Sequence, residues 1–149
     1  MDGVVAQKET KKPTRRNRIS VYLAGAVDGV PHDYAAGWRR VARCRLEGLG
    51  KDVVWEVIDP LRFGGFDVLQ CIMSVTQCDV LLVEMDYPGH PYIGTSSEMA
   101  WAWEHGKFIV VWGRVGRYSR FRQCFATVDV DTLDEALEAI RMWADAKMS

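Results

Sequence analysis

The 149-residue sequence has no apolar run of the roughly 18 residues that a membrane-spanning helix needs. It also lacks, near its first residue, the apolar segment that directs secretion. Its four cysteines include no CxxC pair, which disfavours a zinc site or a redox-active dithiol. We therefore expect a soluble, cytoplasmic protein whose cysteines stay reduced and pack in the core.

The chain also lacks a strong net charge, because its 19 basic and 20 acidic residues give a net charge of −1. This balance excludes a protein held on nucleic acid mainly by bulk charge. Residues 1–18 differ from the rest, with six basic and two acidic side chains and no aromatic residue. We predict a disordered basic arm over 1–18, either a solvated tail or a tether for phosphates or nucleic acid, and a single domain over 19–149.

From residue 19 onward, short β-branched runs alternate with segments whose apolar residues recur every three or four positions. Strands separated by helices indicate right-handed crossovers and a parallel sheet covered on both faces. We predict an α/β fold, a flavodoxin-like three-layer sandwich with a five-stranded parallel sheet. The predicted strands are 19–24, 52–58, 80–85, 108–112 and 124–128, and the predicted helices are 33–49, 66–77, 96–105 and a last one capped by Asp131.

Several common site motifs are absent from this pattern. The loop Gly25-Ala-Val-Asp-Gly29 lacks the GxGxxG spacing of dinucleotide-binding folds, and no P-loop lysine motif occurs. Ala26 and Val27 stand where a receiver domain would need an acidic pair. The histidines are isolated in the sequence, so we expect neither a metal nor another cofactor.

Ligands of such folds bind beyond the carboxyl ends of the strands, where carboxylates occur in this chain. Asp59 and Asp86 follow predicted strands, and Glu98 ends the segment Gly94-Thr-Ser-Ser-Glu98 at a predicted helix start. A helix N-terminus favours an ionised carboxylate, which suits a nucleophile, and Gly94 allows a ligand close to the backbone. Thr95 and Glu98 also match a capping box, in which Glu98 would only satisfy backbone donors. The residues alone leave both interpretations open.

One combination of motifs is more specific. It comprises Val21-Tyr-Leu-Ala-Gly25, Trp38-Arg39, the stretch from Cys78 to Asp86, the stretch from Gly94 to Trp103, and Gly106-Lys107. Over about residues 19–112 the chain thereby resembles the nucleoside 2-deoxyribosyltransferase superfamily.

The resemblance implies a role for each matching residue. Glu98 would be the nucleophile that attacks the anomeric carbon, Tyr22 would orient it, and Asp86 would bind or protonate the base. Gly25 would lie in the substrate site. The family's further aspartate, eight positions before Asp79, falls on Cys71 here; Asp67 lies one helical turn earlier and is the nearest acid.

The resemblance also bears on the substrate. Relatives that hydrolyse nucleoside 5′-monophosphates have a small hydroxyl residue where this chain has Tyr92, which disfavours that phosphate site, although Thr95 is one residue that can compensate. We therefore expect cleavage or transfer at the N-glycosidic bond of a nucleoside or deoxynucleoside, with Asp59 as a further substrate contact, in a homo-oligomer. A nucleoside 5′-monophosphate hydrolase and a catalytically weakened nucleotide-binding module are the alternatives. Neither a membrane nor nucleic acid is an expected partner.

Overall fold

The computed structural model describes residues 18–50, 52–65 and 67–148. Within these ranges strands and helices alternate along the chain, as the sequence predicts. The strands are β1 (Arg18–Ala24), β2 (Val54–Ile58), β3 (Val80–Glu84), β4 (Phe108–Trp112) and β5 (Val128–Val130), and the helices are α1 (His32–Gly48), α2 (Val68–Gln77), α3 (Ile93–Glu104), α4 (Arg120–Phe125) and α5 (Leu133–Met148).

The five strands form one parallel sheet in the order β2-β1-β3-β4-β5. This is the flavodoxin-like order, and helices cover both faces of the sheet. The predicted α/β three-layer sandwich is therefore confirmed. The order reverses at β1 and β3, so the loops that follow these two strands diverge and leave a crevice between them.

Side chains of β1 point alternately to the two faces of the sheet. Ile19, Val21 and Leu23 pack in a core with α1 and α5. Tyr22 and Ala24 pack in a second core with α2 and α3. The alternation therefore aims Tyr22 at the layer that contains the carboxyl-edge loop before α3.

The start of α3 differs from the prediction, which placed it at Ser96. The helix begins at Ile93, after Tyr92 in a left-handed backbone conformation with φ of 52° and no side-chain cap. Thr95 is thus a buried residue inside the helix rather than its N-cap. The capping-box interpretation is therefore wrong, because the Glu98 carboxylate does not cap the helix N-terminus and instead turns inward to Tyr22.

The predicted fifth strand is also misplaced. Residues 124–128 span the end of α4 and the start of β5, because Ser119 caps a short helix that ends at Phe125. The last helix follows Thr132, whose hydroxyl accepts from the Glu135 amide, whereas Asp131 pairs with Arg117.

The predicted basic arm lies outside the described residues except for Arg18, which is the first residue of β1. Cys71 and Cys78 pack in the core as predicted, but Cys44 and Cys124 are exposed. None of the helices in the described ranges is long and apolar enough to cross a membrane.

Candidate active site at the carboxyl edge of the sheet

A cavity of about 530 Å³ opens beyond the carboxyl end of β1, within the size range of small-molecule sites. Its walls come from the loop between β1 and α1, from α2 and from α3. Residues of these walls include Tyr22, Gly25, Asp28, Arg39, Cys71, His90, Gly94, Thr95, Ser97, Glu98 and Trp101.

Tyr22 and Glu98 meet inside this cavity. The Tyr22 hydroxyl donates a hydrogen bond of 2.5 Å to Glu98 Oε2. Burial and the nearby Glu98 carboxylate raise the pKa of Tyr22 far above its ordinary value, so the hydroxyl stays protonated and acts as a donor. A donor on one carboxylate oxygen fixes the rotamer of Glu98 and leaves the other oxygen for chemistry.

Burial raises the pKa of Glu98 from 4.5 to about 7, while the Tyr22 hydrogen bond and the Arg39 charge act in the opposite direction. Glu98 is the sixth residue of α3, beyond the first turn where the helix dipole acts. The expectation of a carboxylate ionised by the helix N-terminus is therefore wrong. Glu98 titrates near neutral pH, which is usual for groups with a catalytic task.

Arg39 is a fully buried cation at the base of the cavity. Its guanidinium donates to the carbonyl oxygens of Gly25 and Ala26, at 3.2 and 3.3 Å, and lies 3.7 Å from Asp59 Oδ1. Its charge is thus balanced by Asp59, and its hydrogen bonds fix the loop after β1.

His90 connects the two loops that border the cavity. Its Nδ1 accepts from the Tyr92 amide at 3.0 Å, and its Nε2 lies 2.7 Å from the carbonyl oxygen of Asp28. With Nδ1 as the acceptor, the ring proton is on Nε2 and is donated to Asp28. The pair of bonds spans the gap between the β1 loop and the start of α3.

The wall formed by α2 is apolar. Val68, Cys71, Ile72 and Val75 line it at helical spacing, and Trp101 from α3 completes it. The indole nitrogen of Trp101 donates to Thr76 Oγ1 at 2.7 Å, which fixes the ring although 40% of the residue is exposed. This side of the cavity suits a flat apolar ligand group.

Of the nine predicted site residues, five line the cavity: Tyr22, Gly25, Gly94, Thr95 and Glu98. A Cβ added to Gly94 would meet no described atom within 4 Å beyond its chain neighbours and the backbone of its own helix, so there is open space beside this glycine. The close approach of a ligand to Gly94 stays a prediction.

The other four predicted residues lie outside the cavity lining. Asp86 Oδ1 accepts from the amide of Arg114, in the segment after β4. Buried Asp59 pairs with Arg39 and Arg43, and its side chain caps the short turn that follows β2.

Asp67 and Tyr92 also have other partners. The Asp67 carboxylate caps α2 by accepting from Leu69 and Gln70, so α2 is not shifted in a way that would bring it into the position of Cys71. The Tyr92 hydroxyl is turned away from the cavity lining and donates to buried Glu84 at 2.5 Å.

The nine predicted site residues leave out others that line the cavity, among them Asp28, Arg39, His90, Ser97 and Trp101. A signal existed for Asp28, which follows the first strand, and for Arg39, which belongs to the resembling motif. For His90 and Trp101 no sequence signal separates a cavity residue from a loop or core residue. In the described part of the chain, no three His, Cys, Asp or Glu side chains are grouped as metal ligands.

Comparisons with known proteins give little beyond this geometry. No model of a known protein family matches the chain, and a search of curated proteins finds no match. Among solved structures, the chain is similar to the flavodoxin-like domain of a Synechococcus sp. protein, with 15% identity and a TM-score of 0.42 over 86% of this chain and 92% of that one. The flavodoxin-like fold of this chain is therefore established by its own strand order and connections.

Proposed function

We propose that this chain cleaves or transfers at the N-glycosidic bond of a nucleoside or deoxynucleoside, as a cytoplasmic enzyme of nucleoside metabolism. The observation that carries the proposal is the 2.5 Å hydrogen bond from Tyr22 to Glu98 inside the cavity. A half-buried carboxylate that is oriented by one fixed donor is the arrangement a glycosyl nucleophile needs. The resemblance to the 2-deoxyribosyltransferase superfamily points to the same pair.

The chemistry proceeds in two displacements. Glu98 attacks the anomeric carbon with its free oxygen, the C–N bond breaks, and the base leaves with the bonding electron pair and takes up a proton. Water or a second base then attacks the same carbon and releases the Glu98 carboxylate. Two inversions give net retention at the sugar.

The polarity of the cavity orients the substrate. Along α3, Gly94, Thr95 and Ser97 precede Glu98, and Trp101 follows it by one turn on the same face. The base packs against Trp101 and the apolar α2 wall, and the sugar hydroxyls face the polar end. Asp86 lies outside the cavity lining, whereas Asp28 belongs to it. Asp28 is therefore the candidate aspartate contact for the substrate.

A binding module is the second candidate, and Cys71 favours it. Its thiol occupies the α2 wall beside Tyr22 where the resemblance expects a carboxyl, and burial raises its pKa, so it remains a neutral thiol. Without an acid at this position, departure of the base has less assistance, whereas ligand binding is unaffected.

The rim of the cavity supports a homo-oligomer. Val68 and Ile93 line the cavity and are 59% and 74% exposed, and Leu69, next to Val68, is 64% exposed; a group of exposed apolar residues is typical of an interaction surface. A second copy of the chain would cover them and exclude water from the cavity. Sedimentation equilibrium of the wild type beside Leu69→Glu tests this, and a monomer at micromolar concentration in both would contradict it.

The deciding experiment is chromatography of nucleosides, deoxynucleosides and their 5′-monophosphates incubated with the protein, with and without a free acceptor base. A new nucleoside that appears only with acceptor identifies a transferase, and free base without acceptor identifies a hydrolase. Glu98→Gln is expected to abolish either product, with a loss of at least about 1,000-fold. If no product forms but the same ligands raise the melting temperature of the protein, the enzyme proposal fails and the binding module is supported.

A further inference from the structure

Glu84, the last residue of β3, is a carboxylate with no exposed surface. Its Oε1 accepts from the Ala26 amide at 2.9 Å. Its Oε2 accepts from the hydroxyls of Tyr34 and Tyr92, at 2.6 and 2.5 Å, and from the Asp86 amide at 2.9 Å. A buried carboxylate is tolerated only when its lone pairs are satisfied, and four donors satisfy this one.

The four donors belong to separate parts of the chain. Ala26 lies in the loop after β1, Tyr34 in α1, Asp86 in the loop after β3, and Tyr92 directly before α3. Glu84 itself is absent from the cavity lining. It therefore lies behind the cavity and connects the segments that form two of its walls.

The packing around Glu84 leaves no space on the β1 side. A Cβ on Gly25 would lie 2.7 Å from Glu84 Oε1 and 2.9 Å from Glu84 Cβ. Gly25 lines the cavity with its other side, so Glu84 determines how far this loop stands from the substrate space.

On the α3 side, Glu84 fixes a strained residue. Tyr92 has a positive φ of 52°, which is unfavourable for a bulky side chain and persists only where other contacts impose it. Its hydroxyl donates to Glu84 and accepts from the amides of Asp86 and Tyr87, at 3.1 and 2.8 Å. Because α3 begins at the next residue, these bonds determine where α3 starts and thus where Glu98 lies.

We propose that Glu84 is a positioning residue for the reaction: through Ala26 and Tyr92 it fixes the two walls that hold Glu98 against the Tyr22 hydroxyl, without touching the substrate. The inference rests on the proposed function for its effect on turnover. The effect of Glu84 on the Tyr22–Glu98 pair itself is measurable without turnover.

The test compares Tyr92→Phe and Glu84→Gln with the wild type. Tyr92→Phe keeps the ring and removes the hydroxyl that reaches Glu84, and Glu84→Gln keeps the shape but offers one acceptor oxygen in place of two. We expect kcat to fall about 10-fold or more in each variant with a much smaller change in KM, because the loss falls on alignment rather than on binding. Asp79→Asn is the matched control, since its carboxylate flanks the other end of β3 and, among the described residues, accepts a hydrogen bond from the Ser20 amide alone, at 2.8 Å.

A second readout needs no substrate. Carbon-13 NMR of labelled glutamate follows the titration of Glu98, assigned with Glu98→Gln. In Tyr92→Phe we expect its midpoint to move measurably from the wild-type value, whereas Asp79→Asn leaves it in place.

The outcomes separate the two claims. Unchanged kcat and an unchanged Glu98 titration in Tyr92→Phe would overturn the positioning role, even if Glu84→Gln fails to fold. If the wild type turns over no nucleoside, the proposed function fails, and the NMR titration still decides whether Glu84 positions Glu98. A shifted titration would then support the positioning of a ligand-binding carboxylate.

Discussion

Arg39 and Glu98 come from α1 and α3 and line the same cavity, and the charge of the buried guanidinium lowers the pKa of the carboxyl that burial raises. The net result is a pKa of about 7 for Glu98. A carboxylate with this pKa is an effective nucleophile only where it is ionised, so the site is sensitive to pH in the neutral range.

The first prediction concerns activity. Under the proposed function the attacking form of Glu98 is the anion, so kcat/KM is expected to fall as pH decreases through about 7, approaching a tenfold loss for each pH unit below that value. Initial rates between pH 5 and 9, with stability checked at each pH, measure this limb. An acid limb near pH 4.5, the ordinary glutamate value, would contradict the burial of Glu98.

The second prediction concerns stability. A carboxyl whose folded-state pKa is raised contributes stability below its unfolded pKa and loses it as pH rises through about 7. Glu98→Gln removes this dependence, so the variant is expected to gain stability relative to the wild type between pH 5 and 8.5. Urea unfolding at these two pH values measures the change. Glu104→Gln, an exposed position on the same helix, is the control and should show a smaller change.

The third prediction concerns the base. Trp101 and Trp103 are both on α3 and are 40% and 50% exposed, but of the two only Trp101 lines the cavity. Trp101→Leu is expected to raise the Kd for a nucleoside about 10-fold, since stacking of a base on an aromatic ring contributes about 1–3 kcal/mol. Trp103→Leu should leave the Kd within about twofold. Calorimetric titration measures both, and equal effects of the two substitutions would remove Trp101 from the base site.

The fourth prediction concerns the segment after β4. Arg122 is 2% exposed and bonds to the carbonyl oxygens of Gly113 and Val115 and to both carboxylate oxygens of Asp129. Arg122→Ala leaves these acceptors unpaired and should lower the free energy of unfolding by about 3 kcal/mol. Arg120→Ala, at an exposed position of the same helix, should change it by less than about 0.5 kcal/mol. Chemical denaturation measures both, and similar losses would show that the arginine network contributes nothing specific.

The sequence predicts the fold well because periodicity reports burial. The short β-branched and aromatic run of residues 19–24 and the apolar run of β3 indicate buried strands, and the observed bounds of β1 to β4 lie within two residues of the predicted ones. The region of residues 119–128 could not be predicted in this way, because α4 has only six residues and its cap at Ser119 is weak in sequence.

The candidate site is predictable in part, through the resemblance rather than through periodicity. Tyr22 and Glu98 are 76 positions apart, and the resemblance places them together, as the structure does. The carboxylates at strand ends behave less uniformly. Asp86 bonds to the backbone of Arg114 and Asp59 is neutralised by two arginines, and these partners come from other elements that local patterns do not reveal.

The two-residue period of β1 couples the packing of the core to the position of Tyr22. Val21 and Leu23 face one layer of helices while Tyr22, between them, faces the other. Inserting a single residue between Tyr22 and Leu23 would put these two side chains on the same face of the sheet, so Tyr22 could not face Glu98 while Leu23 stays in the core with α1 and α5. Between these two residues, β1 can therefore accept substitutions but not changes of length.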